Sequence, residues 1–298
     1  IRESIAYVRQ QGRRVMFDAE HFFDGFRENA EYSLSCVRAA AEAGAEYVVL
    51  CDTNGGTLPA EVFQVVKEVG QELDAPLGIH CHNDADVAVA NSIAAVQAGA
   101  SQVQGTINGY GERCGNTNLL SIIGNLKLKL GIECIPDEQL QHLTDIHRFV
   151  SEMVNMPPNR YQAYVGERAF SHKGGLHAAA MAKDEASYQH INPIWVGNAK
   201  RVVISELSGR GNIAVKLEEH GLAGQVPQER VGELLQRLKK LESQGFQYEG
   251  AEASFDLLVR RELPGYQPPF ELVDFFVVME KHRRQAEAAN TEESLSEA

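Results

Sequence analysis

The stretch HCHNDAD, His80 to Asp86, sets two histidines one residue apart and follows them at once with polar and acidic side chains. On a β-strand residues i and i+2 share a face, so His80 and His82 project together and Cys81 points the other way. Two neutral imidazoles converging on one point make a site for a divalent metal ion. The competing reading is a pair of histidines hydrogen-bonded at a polar rim, and the spacing alone leaves both open. It also identifies no third, carboxylate ligand. Glu20, in FDAEHFFDGF, is of the type that serves as acid, as base or to orient a water; otherwise it is a solvated loop carboxylate. Thr53, in CDTNGGTLP, can bind a ligand carboxylate or cap a turn, since DTNGG is rich in turn formers. In NGYGERCGN, Glu112, Arg113 and Asn116 sit among glycines that let a backbone approach a ligand closely. The plain alternative is an ordinary turn with Glu112 and Arg113 paired on the surface. Cys114 in that loop is expected to be a small buried residue.

These residues need elements to carry them. Apolar runs of strand length recur in RVMFDAEHF, AEYVVLCDT, APLGIHCHND and SQVQGTINGYG, about 30 residues apart, the length of a βα unit. A helical pattern follows each of the first three, and Gly44 and Gly99 suit the left-handed position that closes a helix. Strands alternating with helices at this period predict parallel pairing. Two architectures compete, the (β/α)8 barrel and the doubly wound sheet. A doubly wound nucleotide binder would carry a G-x-G-x-x-G or phosphate-loop motif after a strand, and none follows one here. Polar residues instead gather at the C-terminal ends of all four strands, where a barrel builds its site. Only four strands are visible where a barrel has eight. The expected architecture is therefore the C-terminal half of a (β/α)8 TIM barrel, the other half being on the order of 125 residues.

IRESIAYVRQQG, opening on Ile1, reads as a helix already under way that stops at Gly12. After Gly131 the pattern turns helical: PDEQLQHLTDIHRFVSEMVN, with Asp137 as the expected N-cap, then stretches near NIAVKLEEHG and PQERVGELLQRLKKLESQG. The expected division is 1–131 for the half barrel, 132–245 for helical linker subdomains and 246–298 for the approach to a further domain. The tail QAEAANTEESLSEA reads as a flexible linker. The whole has 298 residues, 44% hydrophobic, with a formal net charge of -13. That charge disfavours nonspecific binding to nucleic acid or an anionic membrane. No apolar run is long enough to span a bilayer. Five cysteines with no Cys-x-x-Cys pair suit a reduced, cytoplasmic setting.

Taken together, GIHCHNDADVAVANSIAAVQAGASQVQGTINGYGERCGNTNL, FDAEHFFDGF, CDTNGGTLP and FSHKGGLHAAA closely resemble the 2-isopropylmalate, homocitrate and citramalate synthases. Members of that family are metal-dependent (β/α)8 barrels that condense acetyl-CoA with a 2-oxo acid. The resemblance covers nearly the whole chain. It implies that His80 and His82 bind a divalent metal ion (Mg, Mn, Zn or Co not distinguished), with Asn116 as an additional site residue. Glu20 matches the strand-end glutamate, and Thr53 the threonine that holds the 2-oxo acid carboxylate. His177, in HKGGLHAAA, matches a histidine that reaches into the neighbouring subunit's site, with Tyr188 as its companion tyrosine and His172 in support. This implies a homodimer with crossed subdomains. Glu20 and His177 are the implied acid and base, in no fixed order.

The family's first strand carries an aspartate ligand and a substrate-binding arginine, a strand that this sequence is not expected to contain, and the family's regulatory domain is expected only as far as its approach. Its His-x-His signature commonly has glycine where Asp86 stands. That feature, with FDAEHFFDGF, GTINGYGERCGN and SELSGRGNI, looks most like the citramalate branch, which takes pyruvate and feeds isoleucine synthesis; the 2-isopropylmalate branch of leucine synthesis is the alternative. A lyase of the hydroxymethylglutaryl-CoA type shares the His-x-His but uses a cysteine in a different loop. A biotin-dependent carboxyltransferase needs a modified lysine where Glu20 stands. The non-enzymatic alternative is an inactive fragment acting as a dimerisation or regulatory module, its open sheet edges prone to association.

Overall fold

The structure is a computed structural model, and it describes residues 1–172, 188–202, 209–248, 251–271 and 273–278. Helix α1 (Arg2–Gln10) leads into four strand-and-helix units. They are β1 (Met16–Ala19) with α2 (Phe22–Glu28) and α3 (Ala30–Glu42), then β2 (Tyr47–Asp52) with α4 (Pro59–Glu72). β3 (Leu77–Cys81) with α5 (Ala88–Gln97) and β4 (Gln102–Gln104) with α6 (Leu119–Leu130) complete the set. The strands form one parallel sheet in the order β1-β2-β3-β4. This order runs without the reversal that defines a doubly wound sheet. It is the order of successive βα units in a (β/α)8 barrel, as expected.

Local chemistry accounts for the units. Asn29 caps α3 by accepting from the Tyr32 amide at 3.0 Å. Pro59 stands at the start of α4, where a missing N–H costs nothing. Gly44 and Gly99, at φ 91° and 117°, close α3 and α5 as their sequence position predicts. The apolar stripes of these helices, Leu34 and Val37 of α3 with Val62, Val66 and Val69 of α4, pack on Val48, Leu50, Leu77, Ile79 and Cys81. The residues that alternate with these strand positions fall on the opposite, inner face. There the sheet curls far enough for its two outer strands to touch: Gln102 Nε2 lies 3.7 Å from Met16 Sδ, and Gln104 Nε2 donates to Asp18 Oδ1 at 3.0 Å.

Beyond the sheet, α7 (Asp137–Leu140) and α8 (Leu143–Met153) are separate helices rather than the single one expected, and Pro136, not Asp137, holds the cap position of α7. Asp137 is the first residue of the helix, and its carboxylate pairs with Lys127 at 2.5 Å. A second buried cluster joins α6, α7 and α8 to Tyr164, Phe170, Ile191 and Val196, beside a short parallel pair, β5 (Ser171–His172) and β6 (Arg201–Val202). Helices α9 (Arg210–Glu219), α10 (Gln228–Ser243) and α11 (Glu252–Arg260) share a third. The tail QAEAANTEESLSEA lies outside the described residues. Among the described residues, no helix is long and apolar enough to cross a membrane.

Candidate active site

The strand register places the sequence-selected residues at one end of the sheet. Cys51 pairs with His80, Asp52 with Cys81, and His80 with Gln104. Glu20 and Thr53 follow the last residues of β1 and β2 directly, and His82 follows β3. The His82 amide donates to the Asp52 carbonyl at 3.2 Å, which extends the ladder one step beyond the strand.

Two groups of side chains form there. In the first, the Thr53 hydroxyl donates to Glu20 Oε2 at 2.8 Å and accepts from the His21 amide at 2.8 Å. His21 has φ 55°, a left-handed turn that sends the chain from β1 into α2 and aims this amide at the threonine. Glu20 is exposed, and its carboxylate is held against Thr53 by this bond. In the second, His80 and His82 lie with ring centroids 5.2 Å apart. His80 Nε2 meets Asn116 Nδ2 at 3.1 Å, and His80 Nδ1 meets Gln104 Oε1 at 2.8 Å. Burial first, then the neighbouring His80, pushes the His82 imidazole below its ordinary range.

The glycine-lined loop is folded back over β3. The Thr117 amide donates to the Cys81 carbonyl at 3.0 Å, and the Asn83 amide to the Gly115 carbonyl at 2.9 Å. Arg113 is not paired chiefly with Glu112, which lies 3.9 Å away. Its guanidinium grips Asp84 through two bonds, at 2.8 and 3.0 Å, and donates to the Thr53 carbonyl at 2.7 Å. One side chain thus ties together the loops after β2, β3 and β4, and it holds the Asp84 carboxyl below the usual carboxylate range. Cys114 is exposed rather than buried. Arg113 at φ 53° and Gly115 at φ 93° turn the chain outward on either side of it. Asp86 stands at φ 58°, with its carboxylate accepting from Asn83 Nδ2 at 3.2 Å. Glycine adopts that conformation at least cost, and Asp tolerates it by bonding locally.

Among the described residues no group of three His, Cys, Asp or Glu side chains forms a metal cage. The donors present still suit a divalent ion: two imidazoles and one side-chain amide. His82 Nδ1 is buried without a hydrogen-bond partner among the described residues, an atom that a ligand would satisfy. Tyr188 is 44% exposed at the surface. His177 lies outside the described residues. Asp18 and Gln104 were not singled out from the sequence. The pattern Gln-Val-Gln on β4 held the available signal, since its two glutamines must share one face.

Comparison with known proteins adds two family matches, HMGL-like over residues 1–150 and homocitrate synthase post-HMGL domain-like over residues 164–245. The chain is 50% identical over 279 residues to an (R)-citramalate synthase of Geobacter sulfurreducens, covering 94% of this chain and 53% of that protein. It is 49% identical to an (R)-citramalate synthase of Aquifex aeolicus, covering 95% and 54%. A probable 2-isopropylmalate synthase of Methanopyrus kandleri is 39% identical, covering 82% and 47%. The chain spans about half the length of the curated relatives it matches.

Proposed function

The chain belongs to the HMGL-like family, and on that premise we propose that the protein condenses the acetyl group of acetyl-CoA with a 2-oxo acid, giving (R)-citramalate and CoA when the acid is pyruvate. The observation that carries the reading is the pairing of His80, His82 and Asn116 beside the Glu20–Thr53 hydrogen bond, in a chain that is about half identical to proteins of that name. His80, His82 and Asn116 would hold a divalent metal ion. Such an ion, when bound, polarises the keto group as a Lewis acid.

The chain's own groups supply the rest. The Thr53 hydroxyl has one hydrogen, given to Glu20 in this structure. Donating it to the substrate carboxylate instead releases Glu20 to accept a proton or orient a water. Glu20 and His177 share the acid and base work, with Tyr188 orienting His177 or the thioester. A proton leaves the acetyl methyl, the carbanion equivalent bonds to the keto carbon, and the alkoxide so formed is protonated. Water then cleaves the thioester and frees the CoA thiol. On this reading residues 1–131 form the catalytic part, and 132–245 carry His177 and Tyr188 into the partner's site in a crossed homodimer. Residues 246–298 approach a regulatory domain, and the protein serves isoleucine synthesis in the cytoplasm.

The test is CoA-thiol release by the intact protein from acetyl-CoA with pyruvate, 2-oxoisovalerate and 2-oxoglutarate in turn, with and without a chelator. Chelator-sensitive turnover confined to pyruvate is expected, and its loss in His80→Ala with the melting curve retained. Turnover with 2-oxoisovalerate instead would move the assignment to the 2-isopropylmalate reaction. No thiol release from any of them would overturn the condensing reaction.

A further inference from the structure

The hydrogen bonds around His80 form a chain whose direction is dictated from one end. Asp18 on β1 and Gln104 on β4 stand on opposite borders of the sheet, and the curl of the strands joins them through Gln104 Nε2, which donates to Asp18 Oδ1 at 3.0 Å. A carboxylate has no hydrogen to give, so the amide must present its NH2 end to Asp18. Its oxygen, Oε1, is then the atom turned to His80 Nδ1, 2.8 Å away. An amide oxygen only accepts, so Nδ1 must carry the hydrogen. In the neutral ring the lone pair is left on Nε2, the nitrogen that faces Asn116 at 3.1 Å. Which nitrogen of a histidine is free for a ligand is set by the hydrogen bond that the other one makes.

We propose that Gln104, oriented by Asp18, is a positioning residue that fixes His80 in the Nδ1–H tautomer and so presents Nε2 as its metal-binding nitrogen. The tautomer follows from the geometry alone; its consequence for metal binding rests on the function proposed above. The two residues come from the first and last strands of the sheet, so the tautomer of a site histidine depends on the sheet keeping its curl. That makes the selection a property of the tertiary fold rather than of the His-x-His segment.

The experiment is long-range 1H–15N correlation of histidine rings in the intact, metal-free protein, with His80 assigned by its loss in His80→Ala. The wild-type His80 ring is expected to show an unprotonated, pyridine-type Nε2. Gln104→Leu should remove this bias, and Gln104→Glu, which keeps an acceptor toward Nδ1, should retain it. Titration with Mn2+ supplies the second readout: Gln104→Leu should weaken binding roughly 10–100-fold, the usual cost of losing such a support, and Gln104→Glu should recover most of it. A protonated Nε2 in the wild type, or a tautomer unmoved by Gln104→Leu, would overturn the proposal. A wild-type protein with the expected tautomer but no affinity for Mn2+ would overturn the metal reading and leave the tautomer assignment standing.

Discussion

His147 is 2% exposed, and its Nδ1 lies 2.7 Å from Asn108 Oδ1. Asn108 answers by donating from Nδ2 to the His147 carbonyl at 3.0 Å and to Ser151 Oγ at 3.1 Å, while the Tyr110 hydroxyl meets Ser151 Oγ at 3.1 Å. A helix outside the sheet thus holds the start of the glycine-lined loop, with Asn108 itself at φ 63°. Burial, then the nearby Arg148, pushes the His147 imidazole below its ordinary range. The unfolded chain, with an ordinary value of about 6.5, therefore binds a proton at a pH where the folded one does not. The resulting stability is fully present above about pH 6.5 and is lost as pH falls through the depressed folded value. His82 and His190, displaced in the same direction by burial, add to this slope. His147→Gln should flatten the loss without abolishing it. Urea midpoints of both proteins from pH 7.5 down to pH 5 would show this, and parallel curves would remove His147 from the account.

At the scale of the element, the loop after β4 works by close approach. A Cβ at Gly111 would overlap the Asn116 side-chain amide, although the backbone there does not demand glycine. Gly111→Ala should therefore fold and yet displace Asn116. We expect Mn2+ affinity and turnover to fall by on the order of tenfold with little change in melting temperature. Affinity equal to wild type would mean that the position of Asn116 does not matter. The same loop separates what could be read from the sequence from what could not. His80 and His82 were legible because alternation on a strand is a local rule, and the closing glycines Gly44 and Gly99 because they follow each helical stripe at once. Asp18 and Gln104 were not, because 86 residues separate them and only the curl of a finished sheet brings them together. The partner of Arg113 is hidden from the sequence for a similar reason. Glu112 is its neighbour in sequence, but the folded loop offers it Asp84 and the Thr53 carbonyl. Exposed pairs of this kind contribute only about 0.2–1 kcal/mol, so the grip of Arg113 bears on loop geometry more than on stability.

Across the molecule, three clusters of buried apolar residues among the described residues have no member in common. One lies under the sheet helices, one joins α6–α8 to the segment around Tyr164, and one lies inside α9–α11. In the last, Leu234, Leu238, Phe255 and Val259 are at most 1% exposed. Lys216, 6% exposed, is held there by Glu219 at 2.8 Å and Glu252 at 2.9 Å. A cluster that satisfies its own apolar and charged groups can open without the others. Truncating a fully buried Phe to Ala costs about 3–5 kcal/mol, through lost burial and the cavity left behind. Phe255→Ala should therefore speed amide exchange in α9, α10 and α11 at least about 100-fold. Amides of β2 and β3, and the Mn2+ affinity of the site they carry, should stay as in the wild type. Exchange that quickened in β2 and β3 by the same factor would show that the three clusters unfold as one unit, with the strand-end site exposed to every destabilising change in the distant helices.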